Sequence, residues 1–325
     1  MTLPRIGITL GDPGGVGPEI VLKAFAGEHG LPPAEYILFG SERLLRREEK
    51  SVGIHFDFAP AGGLKPSSSG TLSFHDLPVS SRTLKKGRPS AENGLASFRY
   101  FDAALEEARG GRLQAVVTGP ISKKSWALAG IRWKGHTEYL SRLYPGTIMA
   151  FWSETLKVAL LSHHLSLKAA LRKIEKEKLG RFFHVLDRSL KDVRPGGFEF
   201  LVAGLNPHAG EDGLMGREEI EEISPAVKKA RREGIRISGP FPPDVVFRMA
   251  LGRKDRVVIA LYHDQGLIPF KLEAFETGVN VSLGLPFVRT SPDHGTAFDI
   301  AGRNAASPLS LVEAVKLAVA FSKIP

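Results

Sequence analysis

Short apolar segments alternate with amphipathic helical patterns along most of the chain, and this alternation restricts the possible folds more than any other feature. The first apolar segment, residues 5–10, leads into a glycine-rich turn and a helix that begins near Pro18. Alternation of this kind is typical of a mainly parallel sheet covered by helices on both faces. The 325 residues suffice for two lobes or one large domain, so an α/β protein is expected. Further strands are predicted at residues 36–39, 115–118, 147–152, 157–161, 198–203, 236–238 and 257–261.

The composition excludes several classes of protein. Apolar residues make up 42% of the chain and charged residues 24%, which is the balance of a globular protein and not of a disordered one. Cysteine is absent, which excludes disulfides, thiolate metal ligands and cysteine nucleophiles. No apolar run approaches the ~20 residues of a membrane-spanning helix, and the first residues lack a signal-peptide pattern. A cytoplasmic enzyme with no membrane partner is therefore expected.

The net charge of +9 raises the question of a nucleic-acid partner. The basic residues are dispersed, and their densest runs, at 43–50 and 228–232, lie in helix-like stretches that also contain glutamate. Solvated helix faces explain such runs more simply. Nucleic-acid binding is thus a minor hypothesis, and it predicts an affinity that weakens steeply with salt.

A glycine-rich turn at residues 11–19 follows the first predicted strand and opens a helix. Such a turn allows the backbone to approach a ligand closely and directs helix N–H groups at an anion. The positions of its glycines and prolines differ from the usual dinucleotide-binding fingerprint. A tight turn without a ligand is an equally good interpretation, and both remain open.

Histidines follow three of the predicted strands. His164, His208 and His263 each come after a strand-like run, and the carboxyl ends of strands form the ligand crevice of an α/β sheet. Three imidazoles that converge there would make an open site for zinc or a similar divalent ion. The alternative for each histidine is a hydrogen-bonded loop residue. A metal-dependent hydrolase is a second function class that such a site permits.

Cationic and polar residues near the end of the chain suit an anionic ligand. Arg289 offers a bidentate fork to a phosphate or carboxylate, and Lys271 offers a point charge, with Asn280 between them in the sequence. The alternative for any one of them is a solvent-exposed side chain or a surface salt bridge. The segment 293–302 has glycines at two positions and could wrap a ligand.

No clear linker separates two domains. Residues 60–70 are rich in proline, glycine and serine, and they are predicted to form a loop or an irregular hairpin. A lobe formed from both chain ends, with a second lobe inserted, would leave this pattern.

Eight sequence blocks, in order over the whole chain, resemble the 4-hydroxythreonine-4-phosphate dehydrogenases of pyridoxal phosphate biosynthesis. The first and last blocks are also similar to isocitrate and isopropylmalate dehydrogenases. The resemblance implies their two-lobed α/β fold with the active site in the cleft between the lobes. It places residues 1–127 plus 275–325 in the first lobe, and 128–274, with the dimerisation surface and metal ligands, in the second. The blocks are GDPGGVGPE at 11–19, TGPISK at 118–123, GHTE at 135–138, HLSL at 164–167, LNPHAGE at 205–211, YHDQG at 262–266, GVNVSLGLPFVRTS at 278–291 and DHGTAFDIAG at 293–302.

The resemblance also implies roles for individual residues. One divalent ion per subunit (zinc, magnesium or cobalt) is expected at a site shared between the subunits of a homodimer. The implied metal ligands are His164, His208 and His263; the implied substrate-binding residues are His136, Thr137, Lys271, Asn280 and Arg289; the cofactor-binding residues are His294, Gly295 and Asp299; and the catalytic residues are Asp244 and Lys271.

The implied reaction is the oxidation of 4-phosphohydroxy-L-threonine with NAD, or alternatively NADP, as the hydride acceptor. The product, 2-amino-3-oxo-4-phosphooxybutanoate, would lose carbon dioxide to give 3-amino-2-oxopropyl phosphate, which leads to pyridoxine 5'-phosphate. An alternative is the same chemistry on a sugar-acid phosphate, D-threonate or D-erythronate 4-phosphate, in catabolism.

Overall fold

The computed structural model describes residues 3–27, 29–54, 65–67, 70–79 and 84–322, and the protein divides into two compact units. Unit 1 comprises Met1–Leu143 and Pro286–Pro325, and unit 2 comprises Tyr144–Leu285. Unit 1 is thus built from both ends of the chain, with unit 2 inserted. Both divisions fall later in the chain than the predicted ones, so His136 and Thr137 belong to unit 1 and Asn280 belongs to unit 2.

The predicted alternation of strands and helices is present in both units. Within the described residues, the strands are Arg5–Thr9 (β1), Ala34–Gly40 (β2), Lys65–Ser67 (β3), Gly70–Asp76 (β4), Ala115–Thr118 (β5), Ile148–Trp152 (β6), Lys157–Leu160 (β7), Glu199–Ala203 (β8), Ile237–Phe241 (β9), Arg256–Ala260 (β10), Val279–Leu283 (β11) and Val288–Pro292 (β12). The α-helices are Gly17–Ala26 (α1), Glu42–Val52 (α2), Ala91–Arg109 (α3), Lys123–Leu128 (α4), His136–Leu143 (α5), Leu167–Leu171 (α6), Lys176–Leu190 (α7), Ser224–Arg232 (α8), Pro243–Ala250 (α9), His263–Ala274 (α10) and Leu309–Ser322 (α11).

The strands of unit 1 lie in the order β3-β4-β2-β1-β5-β12. All neighbouring pairs are parallel except β3 with β4. Ile6 of β1 lies opposite Tyr36 of β2 and Ala115 of β5. The four residues of β5 are all buried, as expected for a parallel strand covered on both faces.

The strands of unit 2 lie in the order β11-β6-β7-β10-β8-β9. Strands β11, β6 and β7 pair antiparallel, and β7, β10, β8 and β9 pair parallel. Phe151, Val158, Leu201, Val258 and Phe270 belong to one buried cluster that packs α10 against this sheet. No helix in the described part of the chain is both long and apolar enough to cross a bilayer.

The α/β class is confirmed, and each strand predicted from the sequence overlaps a strand of the structure. Strands β4, β11 and β12 were not predicted. In the predicted loop or hairpin at 60–70, β3 pairs antiparallel with the start of β4, and residues 60–64 and 68–69 lie outside the described residues.

Candidate active site

Three neighbouring parallel strands of unit 2, β7, β10 and β8, end at the same edge of the sheet, and histidines follow each of them. His163 and His164 follow β7, His263 follows β10, and His208 follows β8 after a turn. The carboxyl ends of parallel strands are where ligands bind in open α/β sheets. His164, His208 and His263 therefore lie after strand ends, where the sequence predicted them.

Buried polar side chains fix the loops that leave these strands. Gln265 accepts a hydrogen bond from Leu261 N at 2.7 Å and donates one to Gly204 O at 2.7 Å, so it joins the ends of β10 and β8. Ser162 Oγ donates to Leu261 O at 2.8 Å, which joins the ends of β7 and β10. The histidines thus extend from constrained positions.

Two of the predicted ligands lie side by side. The rings of His164 and His263 have centroids 5.8 Å apart, and the ring of His163 stands edge-on to His164 at 5.3 Å. Burial, with a smaller contribution from the neighbouring histidines, lowers the pKa of His163 to about 4. His163 is therefore neutral at physiological pH, and its buried Nδ1 has no hydrogen-bond partner among the described residues.

The hydrogen bonds of His263 and His208 suit metal coordination. His263 Nδ1 lies 2.6 Å from Asp264 Oδ1, and His208 Nδ1 lies 3.1 Å from Glu211 Oε2. Metal-binding histidines usually donate their second ring N–H to a carboxylate, which fixes the tautomer and leaves the other nitrogen for the metal. In both residues that other nitrogen is Nε2, so the residues present fit a divalent ion.

The described residues of one chain contain no group of three histidine, cysteine or acidic side chains arranged to hold a metal. His164 and His263 are close to each other, whereas the structure does not join His208 to them. The shared site of His164, His208 and His263 therefore stays a prediction.

His208 lies in a turn with unusual backbone geometry. Within the helical turn Pro207–Gly213, residues 208–212 have φ values between 41° and 85°, in the left-handed region. Residues other than glycine cost about 1–2 kcal/mol each in this conformation. Four of these five residues are not glycine, so contacts from outside the turn must stabilise it.

Glu219 makes such contacts. It is 3% exposed, and its Oε1 accepts hydrogen bonds from Leu205 N at 2.7 Å and Asn206 N at 2.8 Å. Its Oε2 accepts a third hydrogen bond from Asn206 Nδ2 at 2.8 Å. Sequence reasoning missed Glu219, because it lies in a run of glutamates typical of a solvated helix face.

Arg289 forms the centre of a buried polar group in unit 1. It lies on β12, is 4% exposed, and its Nη2 donates to Thr118 Oγ1 at 2.7 Å. The same nitrogen lies 3.2 Å from His136 Nδ1, which must accept if the imidazole is neutral. Burial lowers the pKa of Arg289 to about 10, so the guanidinium keeps its charge at neutral pH.

His136 is the first residue of α5 and is held between aromatic rings. Its ring centroid lies 4.4 Å from that of Phe101 and 5.4 Å from that of Trp126. Burial, and then the charge of Arg289, hold the pKa of His136 well below its ordinary value. Its buried Nε2 has no hydrogen-bond partner in the part of the chain that the structure describes. A neutral imidazole with its Nδ1 accepting carries its proton on Nε2, so His136 has an unused donor.

The backbone N–H groups of residues 14–16 in the glycine-rich turn are bound to acceptors within the protein. Gly14 N donates to Asp12 Oδ1 at 2.8 Å, Gly15 N to Asp12 O at 3.0 Å, and Val16 N to Thr296 O at 3.0 Å. A Cβ atom on Gly15 would lie 2.6 Å from Thr296 O, which explains the glycine. For residues 14–16, the structure favours a tight turn over an anion site.

The predicted cofactor loop packs against this turn through Thr296. His294, Gly295 and Asp299 are exposed, and His294 Nδ1 lies 2.9 Å from Gly295 O. The loop is accessible to a ligand. The cofactor-binding roles stay predictions.

The remaining predicted residues are in unit 2. Lys271 is half-buried near the end of α10, with Nζ 5.5 Å from the ring centroid of Phe275. Asn280 is half-buried on β11, and Asp244 is exposed in the first turn of α9. Thr137, in unit 1, is half-buried beside His136 in the first turn of α5. Their roles in substrate binding or catalysis stay predictions.

Comparison with known proteins identifies a family. Residues 33–318 match the family model described as "Pyridoxal phosphate biosynthetic protein PdxA". The chain is 40% identical over 326 residues to 4-hydroxythreonine-4-phosphate dehydrogenase of Desulforapulum autotrophicum, covering 97% of this chain and 94% of that protein. It is also 40% identical over 330 residues to a protein of Symbiobacterium thermophilum named as a proposed D-threonate 4-phosphate dehydrogenase, covering 99% and 97%.

A solved structure has the same fold. The crystal structure of 4-hydroxythreonine-4-phosphate dehydrogenase from Klebsiella pneumoniae superposes with a TM-score of 0.87 and 36% sequence identity. The match covers 98% of this chain and 99% of that one.

Proposed function

Because the chain belongs to the family of pyridoxal phosphate biosynthetic protein PdxA and is an oxidoreductase, we propose that it oxidises 4-phosphohydroxy-L-threonine with NAD as the hydride acceptor. The carbon that bears the hydroxyl loses a hydride to NAD, and the hydroxyl loses a proton. The product, 2-amino-3-oxo-4-phosphooxybutanoate, is a β-keto acid and loses carbon dioxide. The final product is 3-amino-2-oxopropyl phosphate, a precursor of pyridoxine 5'-phosphate.

The buried group of Arg289, His136 and Thr118 is the observation that carries this proposal. A guanidinium excluded from water is stabilised by an anion, and its planar fork matches a carboxylate or a phosphate. The N–H at His136 Nε2 supplies a further donor. These groups would bind an anionic end of the substrate and orient the reacting carbon. Thr137, Lys271 and Asn280 are the other proposed substrate contacts.

His164, His208 and His263 are the proposed ligands of a divalent ion such as zinc, magnesium or cobalt. When bound, the ion supplies a Lewis acid that lowers the pKa of the substrate hydroxyl. Asp264 and Glu211 would hold His263 and His208 in the tautomer that leaves Nε2 free for the metal.

The nicotinamide cofactor, when bound, supplies the hydride acceptor. His294, Gly295 and Asp299 are its proposed binding residues, and NADP is the alternative to NAD. Asp244 is the proposed acceptor of the hydroxyl proton, and Lys271 would hold negative charge on the substrate.

We further propose a homodimer in which a second copy of the chain completes the metal site. Large apolar side chains after His208 and at the carboxyl end of α10 are exposed, as expected of a surface that another subunit covers. Leu214 is 85% exposed, Leu272 84% and Phe275 74%. Leu214 follows His208, Leu272 lies on α10, which begins at His263, and Phe275 directly follows that helix.

A sugar-acid phosphate is the second candidate substrate. The relative from Symbiobacterium thermophilum named as a proposed D-threonate 4-phosphate dehydrogenase matches this chain over nearly its whole length. The two substrates differ by a hydroxyl in place of an amine, so they would share the phosphate, the carboxylate and the oxidised carbon.

The test is the absorbance of NADH formed by the metal-loaded protein with each substrate in turn. A preference for 4-phosphohydroxy-L-threonine supports a role in vitamin B6 synthesis. A preference for D-threonate or D-erythronate 4-phosphate supports the second candidate. No NADH with any of the three, and no NADPH in parallel assays with NADP, contradicts the proposed dehydrogenase activity on this substrate class.

A further inference from the structure

We propose that Glu219 is a positioning residue that holds the His208 turn in its metal-binding conformation before the ion arrives. The inference rests on the proposed role of His208 as a metal ligand. In this proposal, the buried carboxylate of Glu219 controls the position of the metal ligand His208 without binding the metal or the substrate itself.

The contacts of Glu219 lie where they can control the turn. Leu205 and Asn206, whose N–H groups both bind Glu219 Oε1, lie between the end of β8 and His208. Glu219 Oε2 binds the side chain of Asn206 at 2.8 Å. One carboxylate therefore fixes two consecutive peptide units and a side chain just before the ligand. Such charge-assisted hydrogen bonds are stronger than neutral ones.

Close packing on the other side of the turn leaves little room for another arrangement. A Cβ atom on Gly210 would lie 2.8 Å from Glu219 Oε2, and one on Gly216 would lie 2.3 Å from Asn206 Nδ2. Both glycines also have positive φ values. The backbone thus wraps closely around the carboxylate, and the two glycines make that approach possible.

The left-handed run makes an external constraint necessary. Residues 208–212 occupy a backbone region that non-glycine residues rarely adopt in succession. Strained conformations of this kind persist only where the surrounding structure over-determines them, and they are concentrated at functional sites. Without Glu219, the backbone N–H groups of residues 205 and 206 would lose their acceptor, and the contact of the Asn206 side chain with Glu218 at 2.8 Å would remain, so His208 would be held less firmly.

The first experiment measures Co²⁺ binding to the metal-free full-length protein through the visible absorption of the bound ion. Glu219→Ala is expected to weaken Co²⁺ binding about 10- to 100-fold, the range found when groups that orient a metal ligand are removed. Glu219→Gln should weaken it less, because one amide oxygen can still accept from both backbone N–H groups. Glu221→Gln is the charge-matched control and should bind as the wild type does, since Glu221 is an exposed partner of Arg217.

The second experiment measures hydrogen exchange at the amides of Leu205 and Asn206 without metal. The proposal requires that these amides are protected in the metal-free wild type and in Glu221→Gln, and that they exchange faster in Glu219→Ala. Fast exchange in the metal-free wild type would show that the turn is not held in advance, and it would overturn the proposal.

Wild-type Co²⁺ affinity in a folded Glu219→Ala protein would also overturn the proposal. If this variant does not fold, Glu219→Gln decides, and an affinity equal to that of the wild type contradicts the inference. His208→Asn tests the role of His208 separately from that of Glu219. Asparagine tolerates left-handed backbone, so this variant removes the imidazole without disrupting the turn. Unchanged Co²⁺ binding in His208→Asn contradicts the role of His208 itself, whereas its loss together with unchanged binding in Glu219→Ala contradicts only the role of Glu219.

Discussion

The two candidate binding regions differ in how complete they are within one chain. In unit 1, Arg289, His136 and Thr118 are buried and already hydrogen-bonded to one another. In unit 2, His164 and His263 lie close together, whereas His208 is 65% exposed on a turn of its own. The first region forms as its unit folds, and the second has only part of its proposed ligand set in place.

The difference shows two ways of preparing a polar site. The groups around Arg289 are fixed by the core, so removing one leaves a buried charge or donor without compensation. The histidines of unit 2 are fixed by polar groups such as Gln265 and Glu219 behind their loops, while their rings remain accessible. Substitutions in the first region should affect substrate binding and stability, and those in the second should affect metal binding and self-association.

The largest expected effect comes from His208→Asn. Loss of a metal ligand should reduce turnover to the level of the metal-depleted enzyme, while the melting temperature changes little because the side chain is exposed. Steady-state rates with and without added metal check this. His184→Asn, which removes an exposed histidine of the same unit, is the control and should keep full activity. Full metal-dependent turnover in His208→Asn would contradict the assignment.

Arg289→Ala should lower kcat/KM about 100-fold, equivalent to about 3 kcal/mol, because the anionic group of the substrate loses a buried partner. Metal affinity should stay the same, since the residue belongs to the other region. Arg289→Lys keeps the charge but loses the planar fork, so it should recover only part of the activity. An unchanged kcat/KM in Arg289→Ala would remove the residue from the substrate site.

Leu272→Glu should weaken self-association by at least ~10-fold, because a leucine that is 84% exposed in one chain would be buried between two. Analytical ultracentrifugation measures the change. Leu128→Glu, at an exposed leucine of unit 1, is the control and should leave association unchanged. If Leu272→Glu associates as tightly as the wild type, α10 does not form the proposed interface.

The smallest effect is on the pH dependence of stability. The pKa of His136 is held well below 6.5 in the folded state, so the unfolded state binds one more proton as the pH falls below 6.5. The contribution of this histidine is fully present above 6.5 and declines by about 1.4 kcal/mol per pH unit below it, down to the pKa of the folded state. Chemical denaturation of the wild type and of His136→Gln checks this. Parallel pH profiles for the two proteins would contradict it.

The sequence predicted the features that depend on local pattern. Apolar runs such as residues 115–118 read as buried strands, and histidines placed just after such runs had to lie at strand ends. Strands β11 and β12 were missed, because Asn280, Ser282 and Thr290 interrupt their apolar pattern. Ser282 and Thr290 are buried and Asn280 is half-buried, and polar side chains at such positions depend on tertiary contacts, which sequence periodicity does not report.

The sequence could not indicate which polar residues meet in space. Arg289 and Thr118 are 171 residues apart, and only the pairing of β12 with β5 brings them together. The predicted lobe boundary even assigned His136 and Arg289 to different lobes, whereas the structure places both in unit 1. The left-handed turn was also beyond prediction, because non-glycine residues rarely adopt this backbone in succession, whatever their individual preferences. Gly210 and Gly216 allow the turn to approach Glu219 and Asn206 closely, but glycines in a loop do not by themselves indicate a buried carboxylate.

The order of the chain has a consequence for its synthesis. Strand β12, which carries Arg289, leaves the ribosome after all of unit 2 and then pairs with β5, made about 170 residues earlier. Until then one edge of β5 is unpaired, and His136 and Thr118 lack their contacts with Arg289. A nascent chain that ends between residues 263 and 288 contains every proposed metal ligand and still lacks Arg289. The proposed anion-binding centre can therefore assemble only after the whole of unit 2 has been synthesised.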